Sequence, residues 1–241
     1  MTRYLRFASL GDSTTYGIGD PVSAQVSPSG WRGWARLLSG SLASAYDVSF
    51  CNLAVSGATS RCVVEGQLAD AVAHRPDVAS LVVGVNDTMR STWDVARIRA
   101  DLMGAAEALH GTGALLLTAR FHDHGRVFGL PGVLRRPLAA RIEAVNRVYD
   151  EVHATYGGLR VDLATFPDFP AEIRAPAGTT FGVSAFQINF GASIIKTSGD
   201  VFDMVVVMNP AALKVELPEL KPGGLILVDT GTFTERNLRK A

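Results

Sequence analysis

The chain has 241 residues, of which 47% are hydrophobic and 19% charged, and its 23 basic residues balance 23 acidic ones. This composition is typical of an ordinary soluble globular protein and fits one large domain, or one domain plus a fragment. A net charge of zero excludes the basic field that nucleic acid or an anionic membrane surface attracts. No apolar run reaches the roughly 20 residues of a membrane span, and the first residues lack a secretory signal. We therefore predict no nucleic acid and no membrane as partner, and a cytoplasmic location.

The first 163 residues alternate between strand-like and helix-like stretches. In chain order, the prediction is a strand at 5–10, a helix at 31–45 capped by Ser29, a strand at 48–53, a helix at 63–73, a strand at 78–85, a helix at 94–110 closed by Gly111, a strand at 114–119, a helix at 137–156 with Pro137 in its first turn, and a strand at 159–163. This alternation predicts a parallel sheet covered by helices on both faces. In such a sheet, functional residues collect in loops at the carboxyl ends of the strands.

The sequence changes character after residue 163, where Pro167, Pro170 and Pro176 follow one another closely. The predicted elements there are strands at 183–190, 204–208 and 225–229, a helix at 210–215, a turn at 221–224 and a helix opening near 234–235. We expect them to form a Rossmann-type α/β segment that either extends the first sheet or forms an appendage.

Three carboxyl-end loops carry groups suited to chemistry. Ser13 lies on the turn after the first strand, in G-D-S-T-T-Y-G at 11–17, where a helix N-terminus favours developing negative charge. Gly57 allows a backbone N–H to approach a substrate, and Asn86, in G-V-N-D at 84–87, can aim its amide at an oxyanion. Taken singly, the three residues also fit a capping pair, a turn glycine and an Asx turn.

Together, in this order on successive strands, the three blocks resemble the SGNH hydrolases, also called the GDSL type, over about residues 4–163. The resemblance implies a three-layer α/β/α sandwich with a flavodoxin-like parallel sheet. It implies acyl transfer from a small ester to Ser13 as the nucleophile. The backbone N–H groups of Ser13 and Gly57 and the side-chain amide of Asn86 would then be the oxyanion donors, one of which is typically worth about 3–4 kcal/mol.

The family's last block, D-x-x-H after the fifth strand, supplies the histidine that takes the serine proton and the aspartate that orients it. No histidine follows residue 153, so we expect an impaired hydrolase. Asp150-Glu151-Val152-His153 has the D-x-x-H spelling but lies inside a predicted helix, where a solvated helix face is the better interpretation. His122-Asp123-His124 follows the fourth strand and fits a pocket lining, a metal site completed from outside, or a polar surface loop.

From about residue 162 the chain resembles a second family, the alpha subunit of 2-oxoacid:ferredoxin oxidoreductases. The stretches that carry the likeness are 162–179, 182–187, 206–213 and 228–230. They match part of a Rossmann-like, gamma-type domain. We therefore predict an SGNH hydrolase-like domain at 1–161 that lacks its last catalytic block, and a partial gamma-type domain at 162–241. The tetrapeptide 161–164 fits both families, so the junction lies within it.

The second family uses thiamine diphosphate and iron–sulfur clusters, but this chain has two cysteines, Cys51 and Cys62, and no G-D-G…N thiamine signature. Two cysteines are too few for a cluster and are more in keeping with reduced thiols than with a disulfide. We predict no cofactor and no metal. The tail alone would be at most a binding or assembly module, for example for an oxidoreductase partner subunit. Arg174 and the Asn209-Pro210 turn could contact a ligand or a partner subunit, but a surface charge and a helix start are the better interpretation.

Three interpretations therefore remain. The first is a GDSL-type serine esterase impaired by the missing histidine. The second is a non-catalytic subunit or fragment of a 2-oxoacid:ferredoxin oxidoreductase, and the third is a chimeric product without a selected function.

Overall fold

A computed structural model of the protein describes residues 3–19, 21–23, 25, 27, 30–168, 185–191 and 199–238. The chain divides into two compact units. The first unit comprises residues 1–163 with 190–194, and the second comprises 164–189 with 195–241. Among the described residues, none of the helices combines the length and hydrophobicity that crossing a bilayer requires.

The described strands include each predicted one, with boundaries shifted by a few residues. They are β1 (Arg3–Gly11), β2 (Tyr46–Asn52), β3 (Val78–Val82), β4 (Leu115–Arg120), β5 (Leu159–Asp168), β6 (Ala185–Gly191), β7 (Phe202–Val207) and β8 (Leu220–Val228).

The described helices vary from single turns to one of 25 residues. They are α1 (Ser13–Tyr16), α2 (Gly33–Leu42), α3 (Ser60–Gly66), α4 (Leu68–His74), α5 (Val85–Thr88), α6 (Val95–His110), α7 (His124–Val127), α8 (Gly132–Tyr156), α9 (Pro210–Glu216) and α10 (Glu235–Leu238), with a short 3-10 helix at Leu217–Glu219.

In the first unit the sheet has the strand order β2-β1-β3-β4-β5. The pairs from β2 to β5 are all parallel, as the alternation of strands and helices predicted. Chain order reverses at β1, where Gly11 lies in register with Val82 at the end of β3. In open α/β sheets the crevice at such a reversal is where ligands bind.

Side chains of β1 alternate between the two faces of the sheet, as strand geometry requires. Leu5 and Phe7 pack with Ala35 of α2 in a small core cluster. Ala8 and Leu10 belong to a larger cluster that includes apolar side chains of α3, α4, α6 and α8. Helices therefore cover both faces, and the predicted three-layer α/β/α architecture is confirmed.

The second unit contains a parallel pair, β7 and β8, whose register runs from Met204 opposite Leu225 to Val207 opposite Val228. The helix α9 connects the two strands. This β-α-β arrangement agrees with the predicted Rossmann-type segment. Residues 221–224, predicted as a turn, lie within the bounds of β8, at a shift in its register with β7 and with Gly223 at φ +81°. Arg174 lies outside the described residues.

Two helix predictions need correction. The helix predicted at 63–73 is two helices divided at Gln67, whose backbone leaves helical geometry at φ −123° and whose amide bonds to another segment. The helix predicted from Pro137 begins at Gly132, because the N–H groups of Leu134 and Arg135 already donate to the carbonyl of Pro131. Pro137 therefore lies inside the helix.

Gly111 caps the C-terminal end of α6, as predicted. Gly111 follows α6 in a right-handed conformation with φ −62°, and the positive φ of this reversal falls at Gly113. Ser29, the predicted cap of α2, lies outside the described residues.

Candidate active site

The turn after β1 presents Ser13 as the first residue of α1, half-buried at the edge of the sheet. Asp12 caps this helix, and its carboxylate accepts the N–H of Thr14 at 3.0 Å. The preceding Gly11 is required by space as well as by its φ of +157°, since a Cβ there would lie 2.4 Å from the carbonyl oxygen of Val82. The turn that carries Ser13 is therefore closed against the neighbouring strand.

Gly57 lies in the exposed turn between β2 and α3, with φ +78° and open space where a Cβ would be. The N–H of Ala58 closes this turn on the carbonyl of Val55 at 3.1 Å. The positive φ is the conformation for which glycine is the usual residue. Gly57 thus has the backbone freedom that its predicted role needs.

Asn86 lies in α5, directly after β3, and connects the other two loops. Its Nδ2 donates to the carbonyl of Ala58 at 2.9 Å and to Oδ2 of Asp12 at 3.3 Å. One amide group therefore touches the residue before Ser13 and the residue after Gly57. The structure brings together the three loops that the sequence singled out separately.

Asp12 is 2% exposed, and burial raises the pKa of its carboxyl group. The N–H of Thr14 and the nearby His124 act in the opposite direction, while Asp87 adds to the rise in pKa. The carboxyl next to the serine turn is therefore easier to protonate than an exposed aspartate.

Asp87 is a buried residue of this site that the sequence did not single out. Its carboxylate accepts the N–H of Ser60 at 3.0 Å and the hydroxyl of Ser60 at 2.8 Å. Asp101 of α6 lies on the far side of that hydroxyl, at 3.3 Å. Burial raises the pKa of Asp87, while the bonds from Ser60 act to lower it. The contact ties α5 to the start of α3, and the only hint in the sequence is the acidic residue after Asn86.

Comparison with known protein families identifies this arrangement. Residues 9–181 match the model of the GDSL-like lipase/acylhydrolase family, which is more than half of the chain. The chain belongs to the GDSL-like lipase/acylhydrolase family. The matched range includes all three loops of the site.

Solved structures with the same fold include several hydrolases. TesA is 25% identical, with a TM-score of 0.50 over 64% of this chain and 76% of that one. An extracellular lipase from Streptomyces rimosus is 19% identical, with a TM-score of 0.51 over 66% of this chain and 80% of that one. A catalytic mutant of Axe2, an acetylxylan esterase from Geobacillus stearothermophilus, is 18% identical, with a TM-score of 0.54 over 67% and 77% of the two chains.

The C-terminal part has a different relationship. Residues 151–240 match the model of the pyruvate ferredoxin/flavodoxin oxidoreductase family. The 2-oxoglutarate oxidoreductase subunit KorA of Mycobacterium tuberculosis is 56% identical over 79 residues. That match spans 33% of this chain and only 12% of KorA. A GDSL-type domain and an oxidoreductase-like segment therefore occur in one chain, as the two resemblances in the sequence predicted.

Asn209, a candidate contact residue of this oxidoreductase-like segment, has an ordinary structural role. Asn209 caps α9, with its side chain accepting the N–H of Ala212 at 2.9 Å. Cys51 and Cys62 are free thiols, and two such ligands do not fit an iron–sulfur cluster.

The GDSL-type domain has two histidines near its serine turn, His122 and His124. Their rings stack with centroids 4.1 Å apart, and Nδ1 of His124 lies 2.8 Å from the carbonyl of His122. That contact requires a proton on Nδ1, which leaves Nε2 as the free acceptor. Burial lowers the pKa of His124 and lowers that of His122 to about 4. Within the described ranges, these histidines do not form part of any group of three metal-ligating side chains.

The second histidine candidate, the D-x-x-H spelling at 150–153, lies within α8. Asp150 does not hold His153 there, because its carboxylate bonds to Arg120 and, at 2.7 Å, to Arg160. Arg120 also pairs through Nε with the buried Asp162 at 3.2 Å. Asp150 therefore belongs to a cluster of ion pairs at the end of β4 and the first half of β5.

Proposed function

We propose that the GDSL-type part of the chain is a serine acyl hydrolase acting on small esters. Ser13 is the nucleophile, and the N–H groups of Ser13 and Gly57 and the amide of Asn86 receive the oxyanion. The observation that carries the proposal is the position of the Asn86 amide between Asp12 and Ala58. Groups on three loops thus converge next to one serine, which is the arrangement that acyl transfer needs.

The resting contacts of Asn86 indicate how the oxyanion would bind. Both hydrogens of its amide have acceptors, and the longer bond, 3.3 Å, goes to Asp12. An oxyanion would replace Asp12 as the acceptor of that hydrogen.

We propose that turnover is slow, because no histidine follows β5 in the sequence. A serine hydroxyl needs a general base to become a good nucleophile. In serine hydrolases that lose a member of the triad, binding and the oxyanion hole alone still give about 10³–10⁴-fold acceleration over water. We expect activity of that residual kind from this chain.

A fluorophosphonate probe and p-nitrophenyl acetate turnover test this function. The wild-type chain should be labelled and should hydrolyse the ester, and Ser13→Ala should abolish both reactions. Ser91→Ala, at an exposed serine outside the site, is the matched control and should behave as wild type. Equal labelling and turnover in wild type and Ser13→Ala would refute the proposal.

A second function is proposed for the C-terminal part, namely docking to the partner subunit of a 2-oxoacid oxidoreductase. Its support is the 56% identity to KorA over 79 residues. Co-purification with the beta-type subunit under native conditions is the expected result. A chain that remains alone would argue against docking and would favour a chimera without selected function in this part.

We also propose that the two parts meet within residues 161–164. The family models overlap over 151–181, and the first compact unit ends its main segment at Leu163. Sequencing the source locus across codons 155–170 tests whether the junction is natural. The free thiols Cys51 and Cys62 support a reducing, cytoplasmic location, which fractionation of the source cells would test.

A further inference from the structure

At the carboxyl end of the sheet, three buried side chains each form hydrogen bonds to both the N–H and the carbonyl of one backbone residue. The three are Gln67, Tyr149 and Asn146, with 2%, 0% and 4% of their surfaces exposed. Where a strand ends inside a protein, its backbone N–H and carbonyl groups need other hydrogen-bond partners, because a buried group without a partner lowers stability. Here one side chain bonds to both groups at each strand end, and the Gly11 carbonyl also accepts the N–H of Val55 at 3.1 Å.

Gln67 holds Gly11, the last residue of β1. Its Oε1 accepts the Gly11 N–H at 2.9 Å, and its Nε2 donates to the Gly11 carbonyl at 2.9 Å. Ser13 is two residues further along the chain, and Asp12 between them is itself buried. The Gln67 amide therefore fixes the backbone from which the serine turn starts.

Tyr149 holds Val83, the residue after β3, in the same way. Its hydroxyl accepts the Val83 N–H at 3.0 Å and donates to the Val83 carbonyl at 2.7 Å. Asn86 lies three residues further along the chain, after Gly84, whose φ is +130°. Tyr149 thus fixes the start of the loop that carries the oxyanion amide.

Asn146 makes the third such contact, with Phe121 after β4. Its Oδ1 accepts the Phe121 N–H at 2.8 Å, and its Nδ2 donates to the Phe121 carbonyl at 2.9 Å. The loop that follows contains neither the nucleophile nor an oxyanion donor of the proposed reaction. Asn146 therefore provides a control with the amide chemistry of Gln67 and similar burial and bond lengths, at a strand end whose loop carries His122 and His124 and none of the proposed reacting groups.

We infer that Gln67 and Tyr149 are positioning residues for acyl transfer at Ser13, because they fix the two strand ends whose loops meet in the Asp12–Asn86 contact. This inference rests on the proposed hydrolase function. Oxyanion stabilisation depends on donors held at hydrogen-bond distance from a reacting atom, and supporting contacts keep such groups within about 0.5 Å of the productive geometry. Loss of either contact loosens one side of the site relative to the other.

The test compares Gln67→Met, Tyr149→Phe and Asn146→Leu in the full chain, each of which removes both hydrogen bonds with little change in size. Labelling of Ser13 by the fluorophosphonate is followed over a range of probe concentrations. We expect Gln67→Met and Tyr149→Phe to lower the maximal labelling rate about tenfold or more, with an unchanged half-saturating concentration. Asn146→Leu should change the maximal rate less than twofold.

A purely structural role would lower all three rates in parallel with stability, or none of them, and either result overturns the inference. Amide hydrogen exchange separates this inference from the function on which it rests. Peptides covering 11–17 should exchange faster in Gln67→Met and unchanged in Asn146→Leu. If the wild type shows no Ser13-dependent labelling, the hydrolase proposal fails, and exchange alone decides whether Gln67 fixes the turn. Unchanged exchange at 11–17 in Gln67→Met would refute that role.

Discussion

Asp87 accepts two hydrogen bonds from Ser60, one from the backbone N–H and one from the hydroxyl. The residues are 7% and 2% exposed, so water replaces neither bond easily. Because Asp87 follows Asn86 and Ser60 begins α3, this contact connects the loop of the oxyanion amide to the helix that follows Gly57.

Replacing Asp87 by alanine should lower the free energy of unfolding by about 1–3 kcal/mol, because it leaves a buried N–H without an acceptor. Urea unfolding measures the loss. The control is Glu65→Ala, which removes an exposed carboxylate paired with Arg61 one helical turn away and should cost no more than about 0.5 kcal/mol. Equal losses in the two variants would contradict the importance given to the buried contact.

Stability should also fall in mild acid because of His122. Burial lowers its pKa from 6.5 to about 4, with the nearby His124 acting in the same direction and Asp123 opposing it. Below about pH 6.5 the unfolded chain binds a proton at His122, whereas the folded chain binds it only below about pH 4. The free energy of unfolding therefore decreases as pH falls through this window. Urea unfolding of His122→Gln at pH 7.5 and pH 4.5 should show a smaller loss than wild type; an equal loss would refute this assignment.

Two glycines should respond to alanine in opposite directions. Gly11→Ala brings a Cβ to 2.4 Å from the carbonyl of Val82, and we expect a loss of about 3 kcal/mol or more. Gly104 is exposed inside α6, with open space around a Cβ, so Gly104→Ala should stabilise the protein by about 0.5–1 kcal/mol. Thermal and urea unfolding of the two variants check both signs, and a neutral Gly11→Ala would contradict the tight turn before Ser13.

The pH dependence of Ser13 labelling tests whether a histidine has replaced the missing base. Without one, the rate should rise steadily toward alkaline pH as the hydroxyl loses its proton more readily. His124→Gln should leave this profile unchanged. A plateau above an apparent pKa lower than 6.5, lost in His124→Gln, would instead assign the base to His124, whose pKa burial lowers from that value.

The sequence predicted much of the fold because its signals are local. Alternating strands and helices gave the parallel sheet, and the short blocks around Ser13, Gly57 and Asn86 fell at strand ends that the fold brings together. Roles for these three residues stay predictions until Ser13→Ala is measured. The local signals failed where a helix ends early, as at Gln67, since periodicity does not reveal a polar side chain that bonds to a distant strand.

The supporting contacts of the site were not predictable in the same way. Gln67 lies 56 positions from Gly11, Tyr149 lies 66 from Val83, and Asp87 lies 27 from Ser60. Such pairs form only when the packing of a helix on the sheet brings the two residues together. That packing depends on side chains along the whole helix. A polar side chain in an otherwise apolar helix face is the one available hint.

The pairing of Arg120 with Asp162 has a practical consequence for engineering the two halves apart. Asp162 is 5% exposed and neutralises a guanidinium that is itself 9% exposed. A shortened protein that stops before residue 162 would remove the buried partner of this cation and leave it only the more exposed carboxylates of Asp150 and Glu143, which should lower its stability. Gene designs that express the hydrolase half alone should therefore keep Asp162, and swaps of the downstream sequence should begin after it.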